Sequence, residues 1–107
     1  MILSSQLSED TNGTSFLTIH TNQPMVWAAL PIALQGSGFD TLSTDRAHGF
    51  YFIVRHDLPS QGNTRMLYIS PQGNDTVIVP YSTQGIPDGS ADTLSLLLYL
   101  QQHLQRP

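Results

Sequence analysis

The chain has 107 residues, of which 39% are hydrophobic and 11% are charged, so its length and composition indicate one domain with a modest core. It contains no lysine, and its four arginines and eight carboxylates give a net charge of −4. A nucleic-acid-binding or membrane-surface protein needs a cluster of cations, so both classes are excluded. The lack of cysteine excludes disulfides, a thiolate nucleophile and a cysteine metal site.

The N-terminal segment, residues 1–14, is predicted to be a flexible tail or linker. It is mostly polar and contains Asn12-Gly13, a dipeptide typical of turns. It has neither the charged region nor the apolar region of a signal peptide. We therefore expect either a protein that is not exported or a piece of a longer exported chain. Residues 15–107 are predicted to form a single domain.

The first elements of this domain are predicted to be a strand and a helix. The side chains of residues 16–21 alternate between two faces in the pattern of a strand. A helix follows, with Pro24 in its first turn and apolar residues at helical spacing after it. Pro31 lies inside this pattern, so we expect a kink or a broken last turn. A helix that ends at Leu30 is the alternative.

The strongest strand signal is a hairpin across residues 39–55. A β-prone run over 39–44 is followed by a polar turn that ends at Gly49 and by the apolar run Phe50–Arg55. Because side chains alternate along a strand, both faces of the second run are largely apolar. This pattern predicts a central strand that is covered by helices on one side and at least partly covered on the other.

The rest of the chain predicts two more strands and a second helix. The strands span residues 65–70 and 76–81, with a loop before them over 58–63, and leucines at helical spacing follow over 90–104. The order is strand, helix, four strands, helix. It predicts an α+β fold in which two helices pack on an antiparallel sheet of about five strands.

No motif of catalysis, cofactor binding or metal binding is recognisable in the sequence. The four histidines, His20, His48, His56 and His103, lack the spacing of a zinc helix motif, and His56-Asp57 is the one close histidine–carboxylate pair. We therefore expect a protein that is not an enzyme, with no catalytic residue, no cofactor and no metal.

The strongest sign of a binding surface lies on the second face of the predicted sheet. We predict that Tyr51, Ile53, Arg55 and Tyr68 bind a partner there, because aromatic and arginine side chains are enriched at protein interfaces. The register leaves open which residues the neighbouring strand contributes, Met66 and Tyr68 or Leu67 and Ile69. The alternative is an ordinary core, either covered on both faces or shifted by one residue. Arg55→Glu is expected to weaken association without unfolding the domain.

Two stretches resemble a known family. Residues 24–54, PMVWAALPIALQGSGFDTLSTDRAHGFYFIV, resemble the opening of a helix-grip domain of the BamC (NlpB) family, with its helical tryptophan, phenylalanine strand, Asp-Arg turn ending in glycine, and aromatic strand. Residues 82–104, STQGIPDGSADTLSLLLYLQQHL, are similar to the closing turn and leucine-rich helix of that family. These motifs are structural rather than catalytic.

The resemblance implies a fold, a role and a location. BamC is an accessory lipoprotein of the machinery that assembles β-barrels in the bacterial outer membrane. Members carry a lipidated cysteine, an extended N-terminal segment and two helix-grip domains. This sequence has no cysteine, no such segment and the length of one domain. We therefore expect one helix-grip domain, the C-terminal one, of a peripheral outer-membrane lipoprotein whose lipid anchor is absent from this chain. Its expected role is non-catalytic binding of protein partners in that machinery. The alternative, drawn from other helix-grip architectures, is a domain that binds a small apolar ligand.

Overall fold

The computed structural model describes residues 1–57 and 63–106, and the predicted loop over 58–63 lies outside them except for Asn63. Six antiparallel strands form one sheet, in the order β1-β2-β6-β5-β4-β3. The elements are, in chain order, β1 Ser5–Glu9, β2 Ser15–Ile19, α1 Gln23–Ala33, β3 Phe39–Asp45, β4 Phe50–Arg55, β5 Thr64–Gln72, β6 Asp75–Ser82 and α2 Ala91–His103. The predicted α+β fold is confirmed, with one strand more than expected.

The additional strand is β1, in the segment for which we predicted a flexible tail or linker. It pairs with β2 along its whole length, and Asp10 and Gly13 close the connecting turn. The prediction of a tail is corrected for this reason. The strand escaped notice because β1 is an edge strand whose single apolar side chain, Leu7, packs against the core, so its alternation is weak.

The predicted hairpin of β3 and β4 is confirmed at the predicted turn. Backbone bonds from His48 to Asp45 and from Gly49 to Arg46 close the turn. Gly49 has a φ of +83°, and a Cβ atom there would lie 3.1 Å from the carbonyl oxygen of Ile69. Glycine is therefore required both by the backbone conformation and by the close approach of β5. β4 is an interior strand, between β3 and β5.

Both helices begin at a side-chain cap. The Asn22 side chain accepts a hydrogen bond from the backbone N–H of Met25 at 2.9 Å, and Ser90 accepts one from the N–H of Thr93 at 3.4 Å. α1 continues past Pro31 to Ala33, so the alternative of a helix that ends at Leu30 is wrong. Pro31 is exposed, which leaves its ring in solvent rather than in the core.

The core lies between the two helices and one face of the sheet, which we call the covered face. Side chains of α1 and α2 pack there against alternate residues of the four inner strands. The covered face consists of Leu17 and Ile19 of β2, Tyr51 and Ile53 of β4, Leu67 and Ile69 of β5, and Thr76, Ile78 and Pro80 of β6. The space beneath α2 is filled, since Leu96, Leu97 and Leu100 are at most 1% exposed.

A buried ion pair joins the start of α2 to the sheet. The Nε atom of Arg65 lies 2.7 Å from a carboxylate oxygen of Asp88, with the two side chains only 16% and 11% exposed. Asp88 also accepts hydrogen bonds from the Thr93 hydroxyl at 2.6 Å and from the Ser90 N–H at 3.0 Å. Burial alone would raise the pKa of Asp88, but these bonds and the charge of Arg65 outweigh burial and lower it.

Candidate partner-binding face

The sheet face opposite the helices is apolar and partly exposed. We call it the open face, and it consists of Phe16 and Thr18 of β2, Phe50, Phe52 and Val54 of β4, Met66, Tyr68 and Ser70 of β5, and Val77, Val79 and Tyr81 of β6. Each of these side chains is intermediate between buried and exposed. They alternate with the fully buried residues of the covered face, as the period of a strand requires.

The open face is organised in cross-strand rows. The register places Phe50, Tyr68 and Val79 in one row and Phe52, Met66 and Tyr81 in the next. The ring of Phe50 lies 5.4 Å from that of Tyr68 and 6.2 Å from that of Phe52, within the range of aromatic contact. A depression of about 220 Å³ opens between Phe50, Met66, Tyr68, Tyr81 and Gly85. The face therefore offers both an aromatic surface and a recess for one side chain.

Charged groups occur only at the rim of the open face among the described residues. On the edge strand β3, Asp40 lies opposite Val54 and Asp45 lies opposite Phe50. The Asp40 carboxylate accepts a hydrogen bond from Nδ1 of His56 at 2.8 Å, and this hydrogen bond and the charge of Asp40 raise the pKa of His56. Comparable pairs join Asp45 to His48 at 2.8 Å and Asp75 to His20 at 3.4 Å. The arrangement is an apolar centre with a polar rim, the anatomy of many protein interfaces.

The structure divides the four predicted partner-binding residues between different environments. Tyr51 and Ile53 are 1% and 0% exposed on the covered face, so the prediction that they lie on an accessible face is wrong. Both faces of β4 are apolar, and its sequence does not say which one the helices cover. The Tyr51 hydroxyl bonds to the Thr41 hydroxyl at 2.6 Å, and burial raises its pKa. Of the four residues, only Tyr68 lies on the open face.

Arg55 lies at a corner of the sheet, where it links β4 to α2. Its guanidinium contacts Asp92 at 2.7 Å and Asp57 at 2.9 Å, and only 28% of the side chain is exposed. The hydrogen bonds and charges of these two carboxylates raise the pKa of Arg55 above its ordinary value. The role that this geometry gives to Arg55 is to hold the first turn of α2 against the sheet. Contact with a partner stays a prediction.

The sequence interpretation missed Phe50, Phe52 and the valines of β6 as binding candidates. A signal was present in β5. Leu67 and Ile69 are aliphatic, whereas Met66, Tyr68 and Ser70 on the other face of this strand are sulfur-containing, aromatic or small and polar. Aliphatic side chains are the residue types found most often in full burial, so this contrast favours the aliphatic set as core.

Two larger depressions flank the end of β4, but their polar groups are already paired. One, of about 390 Å³, lies between the end of α1 and Asp40, and the other, of about 410 Å³, lies between Arg55, Tyr99 and Asp92. Asp40 bonds to His56, Arg55 bonds to both neighbouring carboxylates, and the Tyr99 hydroxyl donates to the Gln35 carbonyl at 2.9 Å. These contacts hold α1, α2 and the sheet together.

A scan against models of known protein families finds no match, and a search of curated proteins finds no significantly similar sequence. Within residues 1–57 and 63–106, no three acidic or histidine side chains cluster in a way that could hold a metal ion. In the same part of the chain, neither helix has the length and apolar character needed to cross a bilayer.

Proposed function

We propose that this chain is a non-catalytic protein-interaction domain that binds a partner protein through the open face. One observation carries the proposal: the centre of this face is aromatic and aliphatic, and its charges lie at the rim. A sheet covered by helices needs one apolar face for folding, and the second face of such a sheet is commonly polar. An apolar second face therefore supports a binding role.

The partner expected from this chemistry presents an uncharged apolar surface with a protruding side chain that fits the recess beside Tyr68. The resemblance of residues 24–54 and 82–104 to the BamC family suggests where such a partner occurs. We therefore extend the proposal to a domain of a peripheral lipoprotein at the bacterial outer membrane, which assists the assembly of β-barrel proteins. Segments of a nascent barrel alternate apolar and polar side chains and match this surface in character.

The alternative of a small apolar ligand has less support. Such a ligand would lie between α2 and the sheet, and that space is occupied by Leu96, Leu97 and Leu100 packed on the covered face. The larger of two depressions that border α2 contains Arg55, which forms ion pairs with Asp57 and Asp92, and the smaller one contains Glu9 and Asp88. Charged walls of this kind do not favour an apolar ligand.

The test is binding of the immobilised domain to purified β-barrel assembly machinery. Phe52→Asp places a charge on the open face in the row of Met66 and Tyr81, where burial against a partner would desolvate it. We expect it to lower the affinity at least about tenfold, because a buried unpaired charge costs more than the 1.4 kcal/mol that tenfold represents. Far-UV circular dichroism must show a retained fold, and Phe52→Ser serves as a milder variant of the same position.

The matched control is Leu98→Asp, which introduces the same charge at a 43% exposed leucine of α2, on the other side of the molecule. It should leave the affinity unchanged. Equal binding by wild type and a folded Phe52→Asp would contradict the use of the open face, and no binding by wild type would contradict the choice of machinery. Arg55→Glu is unsuitable, since it would place a third carboxylate beside Asp57 and Asp92 and loosen α2.

A further inference from the structure

We infer that the outer edge of β3 binds an extended segment of a partner protein, which adds to the sheet as a further antiparallel strand. The segment alternates apolar side chains on the covered side with cationic side chains on the open side. This surface is an edge of the sheet rather than its open face, so the inference goes beyond the proposed function. It follows from the backbone groups that β3 leaves unpaired, from the charges along β3 and from the space beside it.

The first argument concerns the backbone of β3. The His56 N–H donates to the Gly38 carbonyl at 2.8 Å, and in an antiparallel pair such bonded positions alternate with positions that face away. The alternation of β4 continues past the bulge in β3, so the outward positions of β3 are Phe39, Thr41 and Thr44. Their N–H and C=O groups are the ones that an added strand would meet.

Two of these three outward positions are open. The Ser37 hydroxyl accepts from the Phe39 N–H at 3.1 Å and donates to the Phe39 carbonyl at 3.4 Å, which closes the first position. Within residues 1–57 and 63–106, no strand pairs with the outer side of β3, so Thr41 and Thr44 keep unpaired backbone groups there. The opposite edge is already partly closed, since residues 104–106 bond to residues 1–3 just before β1.

The second argument concerns charge. Asp40, Ser43 and Asp45 lie opposite the three open-face residues of β4, so the bulge places both carboxylates of β3 on the open side, in register with a regular strand. An antiparallel strand added to β3 would present its residues i, i+2 and i+4 to these three side chains. Cations at i and i+4 complement the two carboxylates.

The charges of this edge are not cancelled by the groups around it. The two carboxylates bond to His56 and His48, and histidine is uncharged above its pKa. Arg46, in the turn of the hairpin, is directed toward α1, with its guanidinium 5.6 Å from the centre of the Trp27 ring. Two β3 edges brought together would place four carboxylates at one junction, so the same charges disfavour a second copy of this chain as the occupant.

The third argument concerns the space beside β3. The depression of about 390 Å³ between the end of α1 and the start of β3 is lined in part by Pro31, Leu34 and Phe39. These walls are apolar and suit the apolar side chains of an added strand. Bulges and charges often protect a sheet edge from pairing. At this bulge, however, Leu42 is 57% exposed, which adds apolar surface for a partner.

Titration with a synthetic peptide, followed by NMR of the backbone amides, tests the inference. The probe is a peptide of about eight residues in which lysine and valine alternate, with blocked ends, and the control peptide has glutamate in place of lysine. We expect the lysine peptide to shift the amide resonances of Thr41 and Thr44 and to slow their hydrogen exchange, because these amides become hydrogen-bonded. No such shift at roughly 5 mM peptide, or equal binding of the glutamate peptide, overturns the inference.

N-methylation of the peptide tests the strand pairing and leaves the protein unchanged. In antiparallel addition, the valines lie opposite Thr41 and Thr44 and turn their N–H groups toward β3, whereas the lysines turn theirs toward solvent. Methyl groups on the valine nitrogens should therefore abolish the shifts, and methyl groups on the lysine nitrogens should leave them. The reverse pattern would overturn antiparallel pairing, and equal binding by both methylated peptides would overturn strand addition.

A charge variant tests the chemistry of the partner. Asp40→Asn removes an exposed carboxylate of the edge and should lower the affinity for the lysine peptide about two- to fivefold. The matched control is Asp75→Asn, which removes another carboxylate paired with a histidine, on β6, and β5 and β4 separate β6 from β3. It should leave the affinity unchanged. An equal loss in both variants, or no loss in a folded Asp40→Asn, overturns the pairing of cations with this edge.

The strand addition and the proposed function can fail separately. Shifts centred on Phe50 and Tyr68 rather than on Thr41 and Thr44 would place the peptide on the open face and overturn binding at the edge. Binding to the assembly machinery that is lost in Phe52→Asp would still support the proposed function in that case. A chain that binds the lysine peptide at β3 but has no affinity for the machinery would overturn the proposed function and support the inference.

Discussion

The two faces of this sheet are both apolar, yet they are built differently. In the two strands β4 and β5, the covered face carries Tyr51, Ile53, Leu67 and Ile69, none more than 1% exposed. The open face of the same strands carries the rings of Phe50, Phe52 and Tyr68 together with Met66, Val54 and Ser70, all partly exposed. The difference teaches that apolar character alone does not mark the interior. Branched aliphatic side chains and the ring of Tyr51 fill the layer beneath the helices, and most of the aromatic rings of these two strands lie partly exposed on the other side.

The faces also differ in how their polar groups are held. At the start of α2, Asp88 and Arg65 form an ion pair whose side chains are only 11% and 16% exposed. At the rim of the open face, the side chains of the pair between Asp40 and His56 are 56% and 76% exposed. If the covered face holds the fold together and the open face serves binding, substitutions on the two faces must have unequal effects on stability.

The largest difference is expected between adjacent residues of β4. Ile53→Ala removes a side chain with 0% exposure and should lower the free energy of unfolding by about 2–5 kcal/mol, because it leaves a cavity beneath the helices. Val54→Ala on the open face should cost about 1 kcal/mol, since its side chain already contacts solvent.

Urea unfolding measures both variants. The fluorescence of Trp27, the single tryptophan, reports on the core because its side chain is only 7% exposed and its ring lies 5.8 Å from that of Tyr51. Equal destabilisation by Ile53→Ala and Val54→Ala would remove the distinction between the two faces.

A smaller difference is expected between two carboxylates near the start of α2. Asp88→Ala leaves the buried guanidinium of Arg65 without this partner and removes bonds from Thr93 and Ser90, so we expect a loss of about 2–3 kcal/mol. Asp92→Ala removes a contact of Arg55 at a carboxylate that is 44% exposed and should cost about 1 kcal/mol or less.

Thermal and urea unfolding at pH 7 compare these two variants. The pKa of Asp88 is lowered in the folded protein, so its stabilising contribution is present above the unfolded pKa of about 3.9 and is lost as the pH falls through the folded value. The difference in the free energy of unfolding between wild type and Asp88→Ala should therefore become smaller in acid. A difference that stays constant down to pH 2 would argue against a charged Asp88 in the native state.

The smallest effect is expected from the exposed pair at the rim. The pKa of His56 is raised by Asp40, so this pair stabilises the fold fully below the unfolded histidine pKa of about 6.5, and the contribution is lost as the pH rises through the folded value. Proton NMR titration of the His56 ring should show a lower pKa in Asp40→Asn. Asp45→Asn, which alters the neighbouring pair with His48, is the control and should leave the His56 titration unchanged.

Much of the fold could be predicted from local sequence patterns. The hairpin turn at Gly49, the two helices and the strands β2, β5 and β6 follow from alternation, helical spacing and turn residues, which act over a few neighbours. β1 could not be recognised, because an edge strand with one apolar residue gains most of its stability from pairing with β2. In β4, the prediction assigned Tyr51 and Ile53 to the accessible face, although both belong to the core. The sequence of β4 alone makes Tyr51 and Phe52 equally plausible as core residues.

The sequence by itself determined which residues share a face, because the two-residue period of a strand separates Tyr51 and Ile53 from Phe50 and Phe52 regardless of what packs on them. Only the tertiary structure decided which of these two sets became the interior. That choice depends on where α1 and α2 lie, and contacts distant in sequence hold them on one side. Gln23 of α1 bonds to the Ile69 carbonyl, and ion pairs of Arg55 with Asp92 and of Arg65 with Asp88 hold the start of α2. Local sequence patterns do not predict such contacts, so the accessible face could be identified only from the folded structure.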